Sequence, residues 1–547
     1  MPLTLHFLLW GSIATSILFV TTSNELARPL KRNWKRLSII VLLALFWRLP
    51  FDGHFFYGLE YEDSYIYPVA ARYLASHGSS GTFLTTVCAV GNWNSCNISE
   101  TSSGHFLGYP FMIAAVSKIF GYSPSTASCI SIASSLFAVV IVFLLGELID
   151  PGGVSGLAGA LIFSFTPVLA VYGVGTYAEP VSNLLVLTCL LMCLYLLALS
   201  RALSYNELLI TWAGLTLTSL LAIAVKRENL LLVPVVFLVH FAFRINQESR
   251  IVQTKRAQYL AVLVTILICC VFALRQLGLL EVMSRERVEY SQFPFNVHVW
   301  LTMFPLFIKQ YFSWNWYFGS AFLVLISVLF SIKSCKRGIF PIALFLSYLV
   351  LYTSHVRSYY EARGGLVTEL DTIRYSMNLA GLWATMAGLG LSAIVVSVSR
   401  ISRRRWTRAV IWIGLAAYGL SAWVVTDRLK EDMVANEEAN RLRPAENALH
   451  SIQRSGNPDT FLITVEPLVI QMFSRDSVNI VDFKDFSTDL LRELRSENPD
   501  ATFFYLEQDA YKSEADRDRY RKSFDALNRV NKTLLVRGNN FAIFELF

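Results

Sequence analysis

Residues 59–74 read Leu59-Glu60-Tyr61-Glu62-Asp63-Ser64-Tyr65-Ile66-Tyr67-Pro68-Val69-Ala70-Ala71-Arg72-Tyr73-Leu74 and follow directly on a hydrophobic segment. Three carboxylates, Glu60, Glu62 and Asp63, therefore stand at the mouth of an apolar stretch. Acids beside a bilayer are costly unless they are solvated, paired or used. The cluster is thus either a working site or an acidic solvated loop, and its flanks decide which kind of protein carries it.

Those flanks are apolar. Of 547 residues, 54% are hydrophobic and only 16% charged, with mean hydropathy +0.47; a soluble domain carries about 25% charge. The chain is a polytopic α-helical membrane protein. Its charge is unevenly spread. Asp427 to Phe547 holds 17 Lys/Arg and 22 Asp/Glu, whereas residues 1–426 hold 30 and 18. Residues 1–426 are accordingly expected to form a membrane domain and 427–547 a polar domain of ordinary size. The basic excess sits in short loops between apolar runs, so it does not suggest a nucleic-acid partner; the expected partner is the lipid bilayer.

About twelve runs are long enough, or nearly so, to span a bilayer: 4–22, 37–50, 125–148, 154–173, 180–200, 208–225, 229–243, 258–274, 314–332, 339–353, 374–397 and 409–426. The connecting segments alternate in charge. One side collects 18 Lys/Arg against 5 Asp/Glu, including Lys31-Arg32, Lys255-Arg256 and Arg403-Arg404-Arg405; the other collects 12 against 13. Positive-inside logic makes the first side cytoplasmic. The first outward loop, 51–124, and the C-terminal domain then share the outer face. The run 4–22 has no basic segment before it, so it reads as a retained helix rather than a signal peptide. Cys88 and Cys96 both fall in the first outward loop, as a disulfide of an oxidising compartment or as two thiols.

In the C-terminal domain, β-like runs at Thr460–Val465, Ser477–Val481, Ala501–Leu506, Thr533–Arg537 and Phe541–Leu546 alternate with amphipathic stretches Phe486–Glu497 and Glu514–Leu527. Ser513 is suited to cap the second. The alternation predicts a small soluble α/β domain. It carries no glycine-rich nucleotide fingerprint, so acceptor binding or packing over the membrane domain is its expected work.

At this point the residues resemble a family. The series Tyr61-Glu62-Asp63-Ser64-Tyr65, then Ala71-Arg72-Tyr73-Leu74 and Gly78, resembles the Asp-Glu-x-x-Tyr…Ala…Gly signature of GT-C fold, polyprenyl-phosphate-sugar-dependent glycosyltransferases. Protein O-mannosyltransferases and the lipid A aminoarabinose transferase belong there. Gly104 to Gly121, with Pro110 and a terminal Phe120-Gly121, is similar to the family's interfacial helix. Thr176-Tyr177-Ala178-Glu179-Pro180 looks like its short second outward loop, Val225-Lys226-Arg227-Glu228-Asn229 like its Thr-Arg-Pro-Glu turn, and Arg374-Tyr375 like the Arg-Tyr opening a late helix. Two departures stand out: the lead acids are Glu62-Asp63 where the family has Asp-Glu, and the turn lacks its proline.

The resemblance implies a GT-C-like membrane enzyme moving a sugar from a polyprenyl-phosphate donor to a glycan, lipid or protein acceptor. Its setting would be a bacterial inner membrane, with the site facing the periplasm. The residues supply a mechanism. A sugar on a lipid phosphate is already activated, so a carboxylate base and a cation for the leaving phosphate suffice. The catalytic acids are Glu62 or Asp63 with Glu179. The phosphate or donor ligands are Arg374, Arg227, Lys226, Arg357 and Arg363, with Tyr375, Tyr65 and His355 lining the pocket. Direct displacement inverts the anomeric carbon. Glu62, Asp63 and Glu179 also offer hard oxygens to a divalent metal, although monophosphate-donor members mostly need none. The rival readings are a twelve-helix transporter and a non-catalytic polyprenyl-lipid-binding protein. Against the transporter stand the lack of an internal repeat and ionisable residues gathered at one face.

Overall fold

A computed structural model describes residues 2–49, 62–77, 108–199, 203–246, 297–317, 319–333, 335–362, 373, 375–399, 404–439, 442–453, 460–465, 478–483, 486–508, 520–538 and 541–547. The chain divides into two units. One comprises Met1–His54, Phe106–Met112 and Cys129–Leu429; the other comprises Phe55–His105, Ile113–Ser128 and Lys430–Phe547. The apolar run 258–274, Cys88, Cys96 and Ser513 lie outside the described residues.

In chain order the helices are α1 (Pro2–Thr22), α2 (Asn24–Arg48), α3 (Glu62–His77), α4 (Gly108–Phe120), α5 (Ser125–Ile149), α6 (Ser155–Phe165), α7 (Pro167–Val171), α8 (Glu179–Leu199), α9 (Tyr205–Val225) and α10 (Leu232–Asn246). They continue with α11 (Val297–Phe312), α12 (Trp314–Tyr317), α13 (Ala321–Lys333), α14 (Ile339–Ala362), α15 (Ala380–Ser399) and α16 (Arg404–Ala439). Among the described residues, five helices are long and apolar enough to cross a membrane, and the bent pair α6 with Pro167–Val174 makes up to six. This is an integral membrane protein. The remaining expected runs within the described residues are helical as well, but shorter or mixed in polarity. α13, at 13 residues, rises about 20 Å against a hydrocarbon core of about 30 Å.

Three local causes shape the membrane unit. First, Pro167 has no N–H and drives Thr166 to extended backbone, φ −66° and ψ 115°. The span breaks there and restarts at a bend of 55°, so the expected continuous run 154–173 is two helices. The break orphans carbonyls that Arg48 collects. Fully buried, Arg48 donates through its two Nη atoms to Ser164 O at 3.0 Å, Phe163 O at 3.4 Å and Ala44 O at 3.1 Å, and through Nε to Ser135 Oγ at 2.8 Å. Second, α15 is notched by glycine. A Cβ on Gly390 would run into the Leu323 carbonyl of α13, and one on Gly388 would sit 2.5 Å from Ser155 O and 2.7 Å from Gly159 N of α6. Small residues let helix backbones close on one another where no hydrophobic effect drives them together. Third, the basic segments expected as loops are partly helical. α2 begins at the Ser23 cap and runs through Lys31-Arg32 into its apolar half, because Lys and Arg are good helix formers. α16 likewise starts at Arg404 and runs on to Ala439 without a stop at residue 426.

The second unit contains α17 (Leu442–Gln453), β1 (Thr460–Thr464), β2 (Val478–Asp482), α18 (Thr488–Glu497), β3 (Thr502–Gln508), α19 (Arg521–Leu527), β4 (Lys532–Arg537) and β5 (Phe541–Leu546). The sheet runs β2-β1-β3-β5-β4, with β2-β1-β3 parallel and the β5 pairings antiparallel. Successive strand residues face opposite sides. Leu462, Phe504 and Ile543 therefore pack under α17 with Ala445, Leu449 and Ile452, while Phe461, Ile463 and Tyr505 pack with Leu491 and Leu494 of α18 and with Leu527. α17 was not visible as an element in the sequence. α3 is part of this unit, and its Val69 packs against the cluster under α17.

Candidate active site

The start of α8, the end of α9, the middle of α14 and the segment before α15 bring polar side chains together in the membrane unit. Glu179 opens α8 just before Pro180, a residue preorganised for a helix start. Lys226 closes α9 in extended backbone, φ −152° and ψ 124°, and the chain turns through Arg227–Leu231 into α10. α9 is anchored at its other end by the Ser204–Glu207 capping box. Tyr348 and Tyr352 lie on α14, and Tyr375 to Asn378 precede α15.

Lys226 Nζ donates to Glu179 Oε1 at 2.8 Å. Glu179 is fully buried and Lys226 is 9% exposed. Removal of two charges from water is costly, and only close geometry and further hydrogen bonds offset it. The ammonium also stands 4.7 Å from the Tyr375 ring centroid and 6.0 Å from that of Tyr352, within the range of cation–π attraction. Buried amides brace the surround. Asn229 Nδ2 donates to Ser182 Oγ and Ala222 O, both at 2.8 Å, and its Oδ1 accepts from Tyr348 Oη at 2.8 Å. Asn378 Nδ2 donates to Tyr352 Oη at 2.6 Å, and Asn183 Oδ1 accepts the Gly381 N–H at 3.2 Å. Behind these, Tyr311 and Tyr317 donate to Ser376 O. The α9 end is set by contact: a Cβ on Gly108 of α4 would lie 2.5 Å from the Ala224 carbonyl carbon, so only glycine lets the two elements meet.

A second carboxylate shares this place. Glu228, 7% exposed, acts electrostatically on Tyr348 and Tyr352, and Glu179 does so on Tyr352. The arrangement is a buried cation paired with one acid beside tyrosine rings, with a second acid acting on the same tyrosines. It can hold an anion, orient a hydroxyl and take up a proton.

The sequence-derived candidates divide cleanly. Glu179, Lys226 and Tyr375 meet in one cluster. Glu62, Asp63 and Tyr65 lie on the first turn of α3, Arg227 in the turn after α9, and His355 and Arg357 on α14; the side chains of these six are outside the described residues. Arg363 and Arg374 also fall outside them. Among the described residues no group of three His, Cys, Asp or Glu is placed to hold a metal; two of the three acids considered for one lie elsewhere in that respect, on undescribed side chains. Residues missed are Tyr348, Tyr352, Asn229, Asn378 and Glu228. A signal existed: Lys226-Arg227-Glu228-Asn229 is four polar residues in succession between apolar runs, and Asn378 is a lone amide beside one.

No protein-family model and no curated protein matches the chain by sequence. In three dimensions the chain has the GT-C fold: apolar helices followed by a small C-terminal sheet domain. Its solved counterparts include ArnT from Cupriavidus metallidurans. The apo form gives TM-score 0.57 at 11% identity over 94% of this chain and 98% of that one. The form bound to undecaprenyl phosphate gives 0.55 at 11% over 97% of each. The Archaeoglobus fulgidus oligosaccharyltransferase, tethered to an acceptor peptide, gives 0.51 at 10% over 92% of this chain and 73% of that one. At such identities the likeness is one of fold.

Proposed function

We propose that the protein is a membrane glycosyltransferase that moves a sugar from a polyprenyl-phosphate donor to an acceptor at the outer face of the membrane. The observation that supports this reading is the buried Glu179–Lys226 pair at 2.8 Å beneath Tyr352 and Tyr375. It stands in a fold whose solved members include an undecaprenyl-phosphate-bound protein and an oligosaccharyltransferase.

In this reading the acceptor oxygen attacks the anomeric carbon, the bond from that carbon to the phosphate oxygen breaks, and the configuration inverts. The acceptor proton passes to a carboxylate, Glu62 or Asp63 on α3 or Glu179, a step worth about 10²–10⁴-fold. The electron pair leaves on the polyprenyl phosphate. Lys226, an ammonium with three donors, gives one to Glu179 and turns others to the leaving oxygen. Arg227, Arg374, Arg357 and Arg363 are the further candidates for the leaving phosphate, and His355 and Tyr65 are the candidates for the pocket wall. Restricted access keeps water from competing with the acceptor.

The test is transfer from radiolabelled undecaprenyl-phosphate sugars by the full chain in lipid nanodiscs, beside Glu62→Gln, Asp63→Asn and Glu179→Gln. Loss of at least 100-fold in one acid variant, with the protein still monodisperse, is expected for the base. Wild-type protein that moves labelled lipid across the bilayer but transfers no sugar would replace the enzyme with a transporter.

A further inference from the structure

Two acceptor atoms beside Tyr352 have no hydrogen-bond partner among the described residues. One is Oε2 of Glu228, a carboxylate 7% exposed. The other is Oδ1 of the fully buried Asn378, whose Nδ2 is committed to Tyr352 Oη. Both belong to one neighbourhood, Asn378 through that hydrogen bond and Glu228 through its chain neighbour Asn229, which accepts from Tyr348 Oη at 2.8 Å one turn from Tyr352. The contrast is internal: Asn229, equally buried, has both ends of its amide engaged. Buried acceptors without donors are strongly disfavoured in a folded protein and call for an explanation at each site.

The chemistry of these two acceptors specifies what would satisfy them. A carboxylate and an amide oxygen both want hydrogen donors. A phosphate offers none at neutral pH and would be repelled by Glu228. A polyol offers several O–H groups, and its C–H face suits the tyrosine rings alongside, where Tyr348 and Tyr352 lie with centroids 6.1 Å apart and Tyr352 and Tyr375 5.2 Å apart. Lys226 stands 4.7 Å and 6.0 Å from the Tyr375 and Tyr352 ring centroids, so the same rings also border a place for an anionic group.

We propose that Glu228 and Asn378 form the sugar-reading subsite of this protein, each accepting a hydrogen bond from a different hydroxyl of the transferred sugar. The assignment rests on the glycosyltransferase reading and names the part of the site that selects the sugar. A site built to accept a hydroxyl discriminates strongly against the analogue that lacks it, because its own polar group is then left unpaired.

The experiment measures kcat/KM of the full chain in nanodiscs. The donors are undecaprenyl-phosphate-linked mannose, glucose and N-acetylglucosamine, each also as its ring-deoxy analogues. On the sugar that is transferred best, removal of one particular hydroxyl should cost wild type about 10- to 100-fold. Glu228→Leu, which removes the acceptor, should lose a similar factor on the intact sugar and be indifferent to that deletion, whereas Glu228→Gln, which keeps an acceptor oxygen, should retain the discrimination. Asn378→Leu should show the same pattern at a second hydroxyl, and Asn378→Asp, which keeps an acceptor oxygen, should retain the discrimination. If Glu228→Leu does not fold, the two Asn378 variants carry the comparison alone. Variants that slow every donor equally, with unchanged ratios between intact and deoxy sugars, would overturn the subsite and leave the enzyme reading standing. No transfer by wild type from any donor would overturn both.

Discussion

Lys226→Met removes the counter-ion that the buried Glu179 carboxylate meets at 2.8 Å. Unit charges at that separation attract by ~6 kcal/mol at an effective dielectric of about 20. Burial of both partners cancels much of this, but removal of one partner strands the other, at a cost of about 3–5 kcal/mol. Here the loss falls toward the upper end, because Glu228 also acts on Tyr352 and two acids would then crowd the same rings. The double variant Lys226→Met/Glu179→Gln carries no stranded charge and should recover at least ~2 kcal/mol relative to Lys226→Met, a coupling typical of residues in contact. The assay is reversible unfolding of the full chain in mixed micelles by denaturing-detergent titration, with all four members of the cycle at the same lipid ratio. A Lys226→Met protein within ~0.5 kcal/mol of wild type, or a double variant no more stable than it, would refute the view that the pair is closed and dry.

Three further outcomes are expected. Gly390→Ala should cost about 1–3 kcal/mol by forcing α15 off the Leu323 carbonyl, whereas Gly414→Ala on α16, where nothing lies within 4 Å of the added carbon, should gain up to about 1 kcal/mol in the same unfolding assay. Arg48→Lys should destabilise by about 2–4 kcal/mol, since one ammonium cannot serve Ser135 and the Phe163 and Ser164 carbonyls together. Burial, aided by Glu507, raises the Tyr505 phenol above its ordinary range. Its neutral form therefore supports the sheet domain fully below pH ~10, and that support is lost as the pH climbs further. Tyr505→Phe should flatten the alkaline fall in thermal stability, followed by near-ultraviolet dichroism of the full chain.

The sequence exposed what depends on composition and period. Apolar runs such as 125–148 and 180–200 became helices because twenty consecutive apolar residues have no other stable arrangement in hydrocarbon. All five strands of the C-terminal sheet were legible from β-rich runs bounded by turn residues. α17 was not, because its apolar face is built from Ala445 and Ala448 beside Leu449 and Ile452, which reads weakly among charged neighbours. The break at Thr166 was written in Pro167, yet its partner Arg48 lies 115 residues away from Phe163, beyond any local pattern. The site shows the same division. Glu179 and Lys226 sit at helix ends where acids and bases are conspicuous. Tyr348, Tyr352 and Asn378 lie beside or within apolar runs, and their polar ends acquire meaning only when α14 and α15 meet α8 and α9.

The pairing of Glu179 with Lys226 also bears on how the chain enters the membrane. α8 and α9 are consecutive, packed against one another and joined by a short connection, so the acid leading one and the lysine trailing the other arrive at the same end of a helical hairpin. Each alone would cost about 2.5–3.5 kcal/mol at mid-bilayer during insertion. Joined, they cross as a neutral couple, and the hairpin rather than the single helix becomes the unit of biogenesis. A variant that keeps only one of the two charges should then reach the membrane in lower yield than wild type or the double variant.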